Sequence, residues 1–272
     1  MPNILYAAAL AYRRAGCSLL PIATDGTKRP AAWLLPKVWD HSEHRWKATW
    51  RPFQKHFPTQ AQLWHWFAQK PVGLAVISGQ ISGGLEILDF DATEIFEPWS
   101  AIVDKFAPGL LEPLPLVQTP THGHHVYYRC SFIESNQKLA QRPNAEGRPE
   151  VMIETRGIGG YTIAPPSPPI CQPLHRAYTL LRGDLTAIPA ITRDQRTILL
   201  NAALSFNEGI ERTRIISGGI SPCPSRAQSD RPRDIFNSHA QWSDILEPHG
   251  WRRMGQRGEI TLWKRPDDNI SR

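Results

Sequence analysis

Apolar residues recur at helical spacing in only a few stretches of this chain; elsewhere they form short runs cut by glycine and proline. Ile4, Leu5, Ala8, Ala11 and Tyr12 mark one helical face, which Gly16 closes. Residues 18–23 then predict a short strand. Pro58-Thr59 opens a second helix, PTQAQLWHWFAQK, with Thr59 as N-cap and Leu63, Trp66 and Phe67 on one face. GLAVIS (73–78) and LEILDFD (85–91) flank the glycine-rich segment 79–84, a pattern that predicts a hairpin. Four more short strands are expected at 116–119, 124–129, 151–155 and 161–164, with turns at 119–123 and 156–160. Thr192-Arg193-Asp194 starts a helix that runs to about Asn207.

These elements describe an α+β protein in three parts. The first spans 1–189. Residues 190–232 hold the helix and then a stretch rich in Gly, Ser and Pro (217–232) that reads as a flexible linker. Residues 233–272 form a small α/β unit with a helix around 241–246 and a strand at 259–264. A unit of roughly forty residues rarely folds alone.

Composition narrows the function. Hydrophobic residues at 41% and charged residues at 21% exclude wholesale disorder. No run approaches the ~20 apolar residues that span a bilayer. Arg13 and Arg14 follow the first apolar stretch, the wrong order for a signal peptide, so a cytoplasmic protein with no membrane partner is expected. Cys17, Cys130, Cys171 and Cys223 form no CxxC and read as packed thiols. The net charge of +6 suits a polyanionic partner. Its distribution says more: residues 25–70 interleave eight basic side chains with Trp33, Trp39, Trp46, Trp50, Trp64 and Trp66, a composition suited to phosphates and unstacked bases. Lys28, Arg45, Lys47, Arg51 and Lys55 are the candidate contacts to a single-stranded DNA template.

Asp89 and Asp91 stand at i and i+2 where an apolar strand ends, about 7 Å apart on one sheet face. Two carboxylates there call for a cation, and the arrangement suits Mg²⁺ or Mn²⁺ in phosphoryl or nucleotidyl transfer. If mutual repulsion dominates the pair, removing either acid relieves the fold. Glu154, at a second apolar strand end, is the candidate third ligand. His122, His124 and His125 sit in TPTHGHHVYYR, and one of them is a candidate phosphate donor. The run GIGGY permits close backbone approach to a ligand beside Tyr161.

Taken in order, ISGGLEILDFD, TPTHGHHVYYR and VMIETRGIGGYTIAPPS resemble the bifunctional primase-polymerase (prim-pol) N-terminal domain of the archaeo-eukaryotic primase superfamily, found in plasmid and phage replication proteins. The likeness covers about residues 5–185. It implies a central mixed or antiparallel sheet flanked by helices, with an RRM-like half. It also implies a two-metal site on Asp89, Asp91 and Glu154, and a nucleotide held by His125 with Thr119, Thr121, Arg156 and Tyr161. His122 stands where the family usually has glycine, and His124 where it often has a basic residue. Implied partners are single-stranded DNA, dNTPs or NTPs, and a helicase domain or protein, because residues 231–266 are similar to segments that join prim-pol domains to helicases.

Two other readings compete. LEILDFDAT also fits the DxDx[TV] signature of haloacid-dehalogenase-type phosphatases, although no GDxxxD follows. A non-catalytic DNA-binding replication initiator would use the basic, Trp-rich region alone.

Overall fold

The computed structural model describes residues 3–208, 247, 250, 252–257 and 260–264. The chain divides into two compact units, Met1–Ile210 and Glu211–Arg272.

The first unit opens with α1 (Ile4–Arg14), whose N-terminus is capped by the Asn3 side chain, and β1 (Ser18–Ile22). A hairpin follows, β2 (Lys37–Asp40) and β3 (Arg45–Ala48), then α2 (Gln60–Phe67). Thr59 caps α2 as its sequence suggests, in a reciprocal capping box with Gln62. Next come β4 (Gly73–Ile77), β5 (Leu85–Phe90) and α3 (Phe96–Phe106). The rest is β6 (Leu116–Gln118), β7 (His124–Arg129), β8 (Lys138–Pro143), β9 (Pro149–Arg156), β10 (Tyr161–Ile163), β11 (Thr179–Arg182) and α4 (Arg193–Leu204).

Two sheets carry the unit, one ordered β1-β4-β10 and the other β11-β6-β7-β5-β9-β8. Every ladder between their strands is antiparallel. β4 and β5 therefore do not form the hairpin that their spacing suggests. Each is buried at every position and has a partner on both edges, β4 as the middle strand of one sheet and β5 as an interior strand of the other. The chain changes sheet through a short 3₁₀ turn at Gln80–Ser82, then Gly83 and Gly84 in the left-handed region. A Cβ on Gly84 would lie 2.2 Å from the Cys130 carbonyl oxygen, so glycine is required there.

The central strands of the six-stranded sheet are buried on both faces. Leu85, Ile87 and Tyr127 pack into the core that contains the three-stranded sheet, α1 and α2. Their neighbours Leu88, Phe90, Val126 and Tyr128 turn the opposite way, into a second core under α3 and α4. The sequence reading closes its first part at 189, yet α4 packs within this unit. Leu199, Leu200, Ala202 and Ala203 join the second core, and the Trp99 indole N–H donates to the Leu199 carbonyl at 3.2 Å. On the same face, the fully buried Glu86 is held by the Arg196 guanidinium and the Tyr128 hydroxyl.

Cys17, Cys130 and Cys171 are buried free thiols. The expected linker at 217–232, the helix at 241–246 and Cys223 lie outside the described residues. In the second unit β12 (Arg252–Arg257) pairs antiparallel with β13 (Ile260–Lys264), where the sequence predicts only the latter strand. No described helix is long and apolar enough to cross a membrane.

Candidate active site

Register builds the site. Asp89 on β5 lies opposite His125 on β7 and opposite Glu154 on β9, so three adjacent strands set an imidazole and two carboxylates in one row. Asp91 follows beyond the strand end, where its backbone N–H donates to the Met152 carbonyl. Carboxylate oxygens of Asp89, Asp91 and Glu154 lie within 4.8 Å of one another. Asp89 is buried, Glu154 partly buried and Asp91 exposed.

Both oxygens of Asp89 are engaged. His125 Nε2 stands 3.2 Å from Oδ1, and the Arg156 guanidinium donates to Oδ2 through Nε and Nη2 at 3.1 and 3.0 Å. The same Nη2 reaches Glu154 Oε1 at 2.5 Å. Burial alone would raise the Asp89 carboxyl, but His125 and Arg156 overcome it and hold it at about 2. Asp91 goes the other way, raised by lost hydration and then by the charge of Asp89. Lost hydration likewise raises Glu154, against the pull of Arg156. The two aspartates are thus unequal. Removing Asp89 strands the buried His125 and takes one of two carboxylates from the half-buried Arg156, which argues against the expectation that loss of either acid relieves the fold.

The three histidines separate by strand alternation and turn geometry. His124 faces away from Asp89 and stacks on Phe96 at 4.1 Å. His122 sits in the turn at a φ of 65° and contacts Arg176 at 2.9 Å. Only His125 points into the carboxylate row. The turn is pressed against β5, for a Cβ on Gly123 would fall 2.0 Å from the Phe90 carbonyl oxygen.

Between the two sheets lies a cleft of about 220 Å³ lined by Lys28, Asp89, Asp91, Thr119, Thr121, His125, Arg156, Tyr161, Thr162, Ile163 and Tyr178. Of the sequence-predicted metal and nucleotide residues, only Glu154 stands behind its wall, tied in through Arg156. Thr162, Ile163 and Tyr178 are additions. Tyr178 packs 5.7 Å from the His125 ring, and no motif marks it.

The five predicted template residues divide. Lys47, Arg51 and Lys55 line a second cleft of about 700 Å³, together with Trp50 and His56. Arg45 points to Glu43, and Lys47 also reaches Glu43 and Asp40. Lys28 belongs instead to the carboxylate cleft. Trp50 meets Tyr161 edge to face at 5.4 Å, so one aromatic contact joins the walls of the two clefts.

A cluster of hard oxygen donors that draws a guanidinium into its midst is built for positive charge and fits a divalent cation. It stands in an antiparallel α+β domain, at the end of an interior strand. The sequence matches the family of bifunctional DNA primase/polymerase N-terminal domains over residues 9–192, and the chain belongs to that family. Comparison with individual curated proteins gives no match. Family membership makes it a nucleotidyltransferase-type enzyme of DNA replication that acts on DNA and nucleotides, in a domain class that is metal-dependent. The phosphatase reading fails on topology, since it requires a Rossmann-like parallel series and the named strands pair antiparallel.

Proposed function

We propose that this protein is a DNA-templated primase-polymerase that transfers a nucleotidyl group from a dNTP or NTP to a 3′-hydroxyl, or to an initiating nucleotide, on single-stranded DNA. The observation that carries the reading is the row of His125, Asp89 and Glu154 across three strands, with Asp91 at its open end. The 3′-oxygen attacks the α-phosphorus, the bond to the β-phosphate oxygen breaks, and pyrophosphate leaves. Mg²⁺ or Mn²⁺ held by Asp89, Asp91 and Glu154 would lower the pKa of the attacking hydroxyl and offset charge on the phosphates. His125 and Arg156 are placed to donate to phosphate oxygens. Thr119 and Thr121, whose hydroxyls lie 3.0 Å apart, offer neutral donors beside them. Tyr161 walls the nucleotide, and Lys47, Arg51 and Lys55 neutralise template phosphates in the neighbouring cleft.

The test is incorporation of radiolabelled nucleotide on single-stranded template, with and without primer, in Mg²⁺ or Mn²⁺. Metal-dependent extension that vanishes in Asp89→Asn and Asp91→Asn is the expected result. Template binding with no incorporation under any of these conditions would leave the non-catalytic initiator.

A further inference from the structure

The sequence groups Lys28 with the template-binding cations, but its place in the fold speaks for a different ligand. We propose that Lys28 is a ligand for the phosphates of the incoming nucleotide, the cation that faces the carboxylate row from the opposite wall of the cleft. This assignment rests on the polymerase reading and gives Lys28, in a segment that shares in the family likeness, a ligand of its own.

Three observations carry it. First, Lys28 lines the cleft with Asp89, Asp91, His125 and Arg156, whereas Lys47, Arg51 and Lys55 line the other one. Second, its ammonium forms no ion pair among the described residues, although its charge acts on Asp91 through space. Arg156, by contrast, is already committed to two carboxylates. A polyphosphate entering beside three acids needs cations on its far side, and Lys28 is the uncommitted one in the cleft.

Third, the backbone at Lys28 is held at a φ of 60°, a conformation that lysine rarely adopts. Bonds on both sides impose it: the Lys28 N–H donates to the Cys171 carbonyl at 3.1 Å, and the Tyr161 hydroxyl donates to the Lys28 carbonyl at 3.3 Å. Asparagine or glycine would relax this position. Strained backbone clusters at ligand sites, and Lys28 lines the carboxylate cleft.

The full chain is titrated with a nucleoside triphosphate whose α,β bond resists cleavage, in Mn²⁺, and separately with single-stranded DNA across a salt series. Lys28→Gly relieves the backbone and removes the charge, so its Tm should hold or rise by about 1–3 °C. Its nucleotide affinity should fall about tenfold, the lower end for a charged hydrogen bond. Lys28→Met should lose the same affinity without the gain in Tm, and Lys28→Arg should recover most of it. The loss should shrink for a nucleoside monophosphate, and the DNA salt slope should not change. Unaltered triphosphate affinity in both Lys28→Gly and Lys28→Met overturns the assignment. So does a salt slope that flattens by about 0.7 while nucleotide affinity stays put, which returns Lys28 to the template. A wild type that binds template but no triphosphate overturns the polymerase reading itself, and this assignment with it.

Discussion

Asp89 and Asp91 stand two residues apart, yet they pull the stability of the fold in opposite directions. The Asp89 carboxyl lies at about 2 in the folded chain against 3.8 in its ordinary state. Its stabilisation is therefore complete above the ordinary value and drains away as pH falls through the folded one, amounting to about 2 kcal/mol. Asp91 and Glu154 are raised, so whatever they contribute is present at low pH and lost as pH rises through their folded values. Without divalent metal at pH 7, Asp91→Asn and Glu154→Gln should raise Tm, while Asp89→Asn should lower it; thermal unfolding of the three variants checks this. Saturating Mn²⁺ at about a hundred times its Kd should stabilise the wild type by about 2.7 kcal/mol, and that gain should disappear in Asp91→Asn. All three acids could be picked out from the sequence because each ends an apolar run. Their inequality was not legible, because it depends on which cross-strand neighbours Asp89 meets.

At the scale of elements, β5, β7 and β9, three of the strands that the sequence predicts, are the ones that carry the site. What spacing did not convey was pairing. Two apolar runs around a glycine turn look like a hairpin whether they join each other or part into separate sheets, and the difference lies in what covers their faces. α3 escaped the sequence reading although Phe96, Trp99 and Val103 keep helical spacing and Pro98 suits a first turn, because no side chain caps its start. β2 and β3 escaped because their positions are exposed or only half-buried and follow no alternation. The turn at 119–123 gives an element-scale prediction. In Gly123→Ala the new methyl must push back the end of β5, so stability should fall by about 1–3 kcal/mol, the range for overpacking. Because Asp89 sits beside that strand end, incorporation should fall with it; urea unfolding and the extension assay on one preparation would show both or refute the link.

On the scale of the whole molecule, the positive charge that the sequence concentrates in residues 25–70 is divided by the fold between two clefts that touch through Trp50 and Tyr161. If Lys47, Arg51 and Lys55 each neutralise one template phosphate, replacing all three with neutral residues should flatten the log–log salt dependence of single-stranded DNA binding by about two. An unchanged slope would move the template elsewhere. Trp50→Ala should weaken DNA binding by about 1–3 kcal/mol if a base stacks there. The outline of the domain was legible because three ordered motifs span it, but the membership of α4 was not. Its seat depends on Glu86, a fully buried acid on β5, whose partner Arg196 lies 110 residues away.

That distance matters while the chain is being made. Until residue 196 has emerged from the ribosome, Glu86 has no guanidinium to meet, and the sheet that carries the acids can close only around a buried carboxylate that lacks its cation. Every residue of the candidate site named above is synthesised before that point. Biogenesis of the active domain is thus timed by its last helix, and a nascent chain stalled short of Arg196 should be as protease-sensitive as one that has only begun to fold.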